Sequence, residues 1–135
     1  MSFTARTIVR FAHVDAAGIV FYPRYFEMLN AVVEDYFSLE VGVDFATMHR
    51  DRRLGVPTVK LESEFLAVSR LGDLLDFRLV VERVGRSSAE FRIEGHCVGQ
   101  LRVRARIVLV CIDLDNNRSV TWPADMRPNP EAQAA

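Results

Sequence analysis

Most of the residues that could do chemistry lie in one stretch, RFAHVDAAGIVFYPRY, at residues 10–25. Asp15 lies there in a loop of small residues upstream of a helix start, where a carboxylate can act as a base or a nucleophile near the positive end of the helix. The same position suits an Asx-turn or a helix N-cap, and Asp15 taken alone favours that structural role. His13 suggests acid–base chemistry, although a single His in a strand-end loop is typical of a structural polar residue.

The turn that follows Asp15 can supply hydrogen-bond donors. Gly18 and Pro23 bracket an apolar turn that brings the backbone N–H groups of Phe21 and Tyr22 to the helix start. The first N–H groups of a helix have no partner within the helix, so they can stabilise an oxyanion. They equally suit any capped helix, so the functional interpretation depends on Asp15 lying opposite them.

Two helices are predicted to follow this loop. A helix over residues 23–39 is indicated by apolar residues at three- and four-residue spacing, and Pro23 suits its first turn while Gly42 suits its end. The apolar positions are Phe26, Leu29, Val33, Tyr36 and Phe37, widened by Met28 and Val32. A short second helix is expected over residues 44–52.

The remainder of the chain has the period of two that is typical of strands. A first strand is predicted within residues 3–11, and four more at residues 59–67, 75–82, 89–97 and 101–111. Each has one apolar and one polar face, and short links such as residues 70–73 and 99–100 favour an antiparallel meander. The predicted fold class is α+β, with a highly curved antiparallel sheet wrapped around one long central helix.

Length and composition limit the possible functions. The 135 residues suffice for one domain, predicted at residues 1–125, with a flexible tail at 126–135 and fraying from Pro123. A net charge of −1 argues against nucleic acid and anionic membranes as partners. No signal-peptide or membrane-helix pattern is present, which predicts a cytoplasmic protein. Cys97 and Cys111 lack CxxC spacing, which predicts buried thiols and no metal site.

The stretch around Asp15 resembles a known family. The matching residues are Phe11, Asp15, Gly18, Ile19, Val20, Tyr22, Pro23 and Tyr25. This pattern, F-x-x-x-D-x-x-G-I-V-x-Y-P-x-Y, is similar to the signature of the 4-hydroxybenzoyl-CoA thioesterase family of hotdog-fold proteins. The likeness extends over residues 4–125, since the residues at 63–65, 72–73 and 85–88 also follow the order of that family.

The resemblance implies hydrolysis of an acyl-CoA thioester, with an aromatic or a short-to-medium acyl group. Asp15 matches the essential carboxylate of the family, and the backbone N–H of Tyr22 matches the oxyanion donor. Whether Asp15 attacks the carbonyl itself or activates a water stays open. The resemblance implies neither a metal nor a cofactor, because CoA arrives as part of the substrate.

Further positions carry substrate-binding roles by the same resemblance. They are His13, Gly18, Ile19, Tyr25 and Arg86. Arg86, with Arg83 close to it, matches a position that contacts the CoA phosphates, although a solvated loop arginine is the simpler interpretation of either residue alone. The family implies a homodimer with active sites at the interface, and a tetramer of two such dimers.

Departures from the family pattern bear on the substrate. Many relatives carry a second acid where this chain has His13, a side chain that could tune Asp15 or contact CoA. The Phe21-Tyr22-Pro23 run is nearer to the aromatic-CoA branch. A hotdog hydratase would need a His at position 20, which is Val20, and a non-catalytic acyl-CoA-binding module would lack the carboxylate or carry a DNA-binding segment.

Overall fold

The computed structural model describes residues 2–130, which form one long helix, five main strands and short elements. The helix α1 spans Tyr22–Asp35. The main strands are β1 (Phe3–Ile8), β3 (Thr58–Phe65), β4 (Leu74–Val84), β5 (Ser88–Cys97) and β6 (Gln100–Val110). The short strands β2 (Leu54–Gly55), β7 (Ile112–Asp113) and β8 (Arg118–Ser119) form a separate small sheet.

The five main strands form one antiparallel sheet in the order β1-β4-β5-β6-β3. The predicted meander is correct for β4, β5 and β6 but wrong for β3, which pairs with β6 instead of β4. The physical reason is that β1 occupies one side of β4 and β5 the other, so neither side is left for β3. Residues 66–73 therefore cross the end of the sheet, and β3 becomes an edge strand.

The core lies between α1 and the apolar face of the sheet. Side chains of β5 alternate between buried and partly exposed along its whole length, as its sequence period predicts. Tyr36, just after α1, contacts Phe91 of β5 and Phe3 of β1 at ring-centroid distances of 5.3 and 5.8 Å. Irregular register at three places bends the sheet around the helix, since a β-bulge curves its strand.

The helical segment, α1 together with the turn that follows it, extends slightly beyond the predicted bounds. It begins at Tyr22, so Pro23 takes the second helical position, where its missing N–H costs nothing. After Asp35 the chain continues as a π-helical turn, Tyr36–Val41, and ends at Gly42 with φ of 93°. Glycine adopts this left-handed conformation without strain, which confirms the predicted stop. A second π-helical turn, Thr47–Asp51, lies within the predicted short helix.

The C-terminal segment packs against the core up to the last described residues. Fraying was expected from Pro123, but Met126 is fully buried and Trp122 nearly so. Both carboxylate oxygens of Asp125 accept hydrogen bonds from the Arg52 guanidinium, at 2.7 and 2.9 Å. A single apolar side chain among prolines gives little sequence signal, which explains the error. The predicted tail spans residues 126–135, and its last part, residues 131–135, lies outside the described residues.

Candidate active site

Asp15 lies in a tight turn held by its own backbone and side chain. The turn belongs to residues 14–21, called the acid loop below, whose ends are joined by a bridge between Val14 and Val20. The Asp15 carbonyl accepts from the Gly18 N–H at 2.9 Å, and its Oδ1 accepts from the Ala17 N–H at 2.9 Å. These bonds make the predicted Asx-turn, so the structural role of Asp15 is present in the molecule. The side chain is exposed, and no further hydrogen bond to its Oδ2 occurs within residues 2–130.

The start of α1 presents one free backbone donor beside the acid loop. The Phe21 N–H donates to the His13 carbonyl at 3.0 Å, and the Arg24 N–H donates to the Phe21 carbonyl at 2.8 Å. Pro23 has no N–H. No partner for the Tyr22 N–H is found among the described residues, since no side chain caps this helix. Of the two donors predicted at the helix start, Phe21 is therefore occupied and Tyr22 is available.

An apolar cleft of about 610 Å³ opens between the helix start and residues 65–69, called the cleft segment below. It is lined by Ile19, Val20, Tyr22, Tyr25, Phe65, Leu66, Ala67, Val68 and Ser69. Phe65 is its aromatic centre, because its ring stacks on Tyr25 with centroids 5.6 Å apart and meets Tyr22 edge-on at 5.9 Å. Asp15 is outside this lining, although Ile19 of the same loop belongs to it.

The hydroxyl of Tyr25 points away from solvent into a small polar cluster. It donates to Ser69 Oγ at 2.8 Å, and both side chains are buried. Burial raises the pKa of the Tyr25 phenol, because the charged form would lose its hydration. Of the residues predicted to bind substrate, Tyr25 and Ile19 line the cleft, while Gly18 shapes the turn through its φ of 78°.

His13 and Arg86 have structural bonds in this subunit. The His13 Nδ1 accepts from the Arg10 N–H at 2.8 Å, which holds the 3-10 turn at Phe11–His13. The Arg86 Nε donates to Thr121 Oγ1 at 2.8 Å. Arg86 lies two residues beyond the end of β4 and is not among the residues that line the cleft. Its contact with CoA stays a prediction.

Two residues at the cleft escaped the sequence analysis. Ser69 is the one buried serine within residues 2–130, and the Arg102 guanidinium lies 3.3 Å from its Oγ. A serine between Val68 and Arg70 has no distinguishing pattern, and Arg102 matches the alternation of a solvated strand face. The only hint in the sequence was the Gly72-Asp73 turn, because Asp73 binds the Arg102 guanidinium at 2.9 Å.

Within residues 2–130, no three His, Cys, Asp or Glu side chains come together as a metal site would require. No helix in the same range is long and apolar enough to cross a membrane. Cys97 and Cys111 are buried free thiols, as predicted.

Comparison with solved structures defines the class of the fold. A 4-hydroxybenzoyl-CoA thioesterase with an Asp-to-Asn mutation, solved in complex with 4-hydroxybenzoyl-CoA, is 27% identical with a TM-score of 0.84, over 93% of this chain and 95% of that one. A 1,4-dihydroxy-2-naphthoyl-CoA thioesterase from Synechocystis is 23% identical with a TM-score of 0.84, over 93% and 92% of the two chains. The sheet wrapped on one helix is thus the hotdog fold of thioesterases, as predicted.

The sequence identifies the family. The chain belongs to the thioesterase-like superfamily, which it matches over residues 9–129, and it is a thioester hydrolase. It is also similar to a 1,4-dihydroxy-2-naphthoyl-CoA hydrolase of Nostoc punctiforme, with 26% identity over 127 residues that cover 93% of this chain and 84% of that protein.

Proposed function

We propose that this protein hydrolyses acyl-CoA thioesters, with Asp15 and the Tyr22 backbone N–H as the reacting groups. The observation that carries the proposal is the free Tyr22 N–H at the start of α1, next to the acid loop and at the wall of an apolar cleft. A thioester carbonyl oxygen placed at this donor gains a hydrogen bond and the positive end of the helix dipole as negative charge develops on it.

Two routes complete the hydrolysis. In the first, Asp15 Oδ2 attacks the carbonyl carbon, CoA leaves as its thiolate, and water then cleaves the mixed anhydride to the free acid. In the second, Asp15 removes a proton from a water that attacks directly. Both routes yield one acid and one CoA thiol per water consumed, and neither calls for a cofactor.

The cleft favours an aromatic or a short-to-medium acyl group. Its centre is the face of Phe65 between Tyr25 and Tyr22, and aromatic rings pack well against such edge-to-face and stacked neighbours. The relatives described above are named for naphthoyl and benzoyl esters of CoA, which supports an aryl ester as the first substrate to test.

A second copy of the chain completes the site in this proposal. The edge strand β3 is exposed along almost all its length, including Val59 and Leu61, and an uncovered strand edge is a ready pairing surface. Two β3 strands paired antiparallel about a two-fold axis would join the sheets into a homodimer. Two dimers would form the proposed tetramer, and the proposed location is the cytoplasm.

The test is release of free thiol from 4-hydroxybenzoyl-, benzoyl-, hexanoyl- and palmitoyl-CoA by wild type and by Asp15→Asn. Asparagine keeps the Oδ1 acceptor for the Ala17 N–H, so the turn persists while the base is lost. We expect turnover to fall by about two orders of magnitude or more.

Asp113→Asn is the matched control. Asp113 accepts from the Asp115 N–H through Oδ1 at 2.8 Å, the same bond from two residues on that Asp15 Oδ1 accepts from Ala17, and it is not among the residues that line the cleft. Its turnover should equal that of wild type. An Asp15→Asn protein with normal turnover contradicts the proposal, and tight binding of the esters without turnover by wild type would indicate a binding module.

A further inference from the structure

The Arg102 guanidinium lies behind the cleft and reaches four groups at once. Its Nη1 is 2.8 Å from the Val68 carbonyl, 3.3 Å from Ser69 Oγ and 2.9 Å from Asp73 Oδ2. Its Nε donates to Gln100 Oε1 at 2.7 Å. The Arg102 side chain is only 13% exposed, so this arrangement is far better defined than a surface ion pair.

Arg102 also holds the cleft segment through its backbone. Its carbonyl accepts from the Leu66 N–H at 2.9 Å and from the Ala67 N–H at 3.4 Å. The cleft segment is thus fastened to β6 by both the main chain and the side chain of one residue. Residues 66–69 form no strand of their own, so these bonds replace a ladder.

The last residue of the cleft segment and the two residues after it in turn hold the acid loop. The Ser69 carbonyl accepts from the Val20 N–H at 2.9 Å, and Ile19 forms a bridge with Arg70. The Gly18 carbonyl lies 3.4 Å from the Leu71 N. In each of these contacts the partner from the acid loop lies between Asp15 and Tyr22 in the sequence. A shift of residues 69–71 therefore moves both reacting groups.

Asp73 is the acidic partner of the Arg102 guanidinium. Its Oδ2 accepts from the Arg70 N–H at 2.9 Å as well as from Arg102, and the Tyr25 hydroxyl reaches the cluster through Ser69. The hydrogen bonds from the Arg70 N–H and from the Arg102 guanidinium hold the pKa of the Asp73 carboxyl below its usual range. The carboxylate is therefore charged at neutral pH and can keep the guanidinium in place.

We infer that Arg102 is a positioning residue that, with Asp73, sets the cleft segment and through it the acid loop in the geometry that hydrolysis requires. The inference rests on the proposed function for its effect on turnover. Arg102 itself does not line the cleft, and no pattern of the sequence distinguishes it from its neighbours on β6.

The test compares Arg102→Met and Arg102→Lys with Arg104→Met. Arg104 is the matched control, because it lies two residues along the same face of β6 and pairs with Glu64 at 3.1 Å on an exposed surface. Measurements are kcat and KM for the best ester of the panel, and hydrogen exchange of peptides covering residues 14–22, 66–73 and 88–97.

We expect Arg102→Met to lower kcat at least tenfold and to speed exchange in residues 14–22 and 66–73, with residues 88–97 unchanged. Lysine keeps the charge opposite Asp73 but not the planar fork of donors, so Arg102→Lys should recover part of kcat. Arg104→Met should match wild type within twofold in every measurement.

Three outcomes decide the inference. It is overturned by an Arg102→Met protein with kcat within twofold of wild type, or by exchange that rises equally in residues 88–97, which would indicate general loss of stability. A wild type without turnover, together with faster exchange confined to the two loops in Arg102→Met, would contradict the proposed function and support the link between Arg102 and the acid loop.

Discussion

The backbone N–H of Tyr22 is available as a donor, whereas neither of its neighbours in the sequence has a free N–H. The donor before it, on Phe21, is used by His13, and the residue after it is Pro23, which has no donor. The helix start therefore offers an incoming carbonyl oxygen one donor and not a row of three. In the proposed reaction, the carbonyl oxygen of the thioester binds at this one donor.

This role can be tested by Tyr22→Pro, which removes the N–H. Proline suits the first helical position, and Phe21 already has the extended backbone, with φ of −69° and ψ of 120°, that a residue before proline requires. We expect kcat to fall by about two orders of magnitude, the scale of losing one oxyanion donor, with the melting temperature little changed.

Tyr22→Ala is the control for the lost ring, because it keeps the N–H. Its kcat should fall less than tenfold, so the two variants separate the amide from the side chain. Equal kcat values for Tyr22→Pro and Tyr22→Ala would show that the N–H has no part in the reaction.

The two proposed reacting groups are close in the sequence. Asp15 and Tyr22 are seven residues apart, with one turn and one helix start between them, so a local pattern was enough to select them for testing. Arg102 could not be found in this way, because it meets Ser69 and Asp73 only through the pairing of β3 with β6. An arginine on an alternating strand has the same pattern whether it faces water or a buried serine.

Strands β4, β5 and β6 were predictable because their alternation and their short links are properties of the local sequence. The position of β3 could not be predicted from the local sequence, because it depends on which strands pair with the two sides of β4. Its apolar residues were expected to be buried, yet Val59 and Leu61 remain 59% and 39% exposed, because an edge strand is only partly covered by the helix. The proposed pairing with a second subunit depends on this exposed edge.

Gly95 lies at a tightly packed point of strand β5. A Cβ at this position would lie 2.8 Å from Phe77 Cε1 and 2.9 Å from Val103 Cγ1, and both of those side chains are fully buried. Gly95→Ala should therefore lower the free energy of unfolding by about 1–3 kcal/mol, as overpacking of a core does. The measurement is urea unfolding, with an unchanged slope.

Glu94→Ala is the neighbouring control for this strand, because its side chain points to the outer face and pairs there with Arg92 at 3.7 Å. Its effect should be well under 1 kcal/mol. A Gly95→Ala protein as stable as wild type would mean that Phe77 and Val103 can move apart, and that the sheet is looser than its packing indicates.

In the proposed dimer, turnover at the cleft depends on the association of two subunits. Leu61→Arg places a charge on the exposed edge strand, and we expect it to shift the mass in solution towards the single-subunit value of 15.3 kDa. Sedimentation over a range of concentrations measures this, and thiol release should fall in parallel with dissociation.

Val98→Arg is the control for an added surface charge. Val98 is 97% exposed at the hairpin tip between β5 and β6, away from the edge strand, and should change neither mass nor turnover. If Leu61→Arg keeps both the mass and the turnover of wild type, the subunits associate through another surface.

The C-terminal segment has a consequence for how the protein is made. The first strand, β1, pairs with β4 some seventy residues later, and Met126 belongs to the same buried core. The core is therefore incomplete until residues 122–126 have been synthesised and packed against the sheet. Until then the apolar faces of the strands are exposed to chaperones, even though most of the sheet already exists.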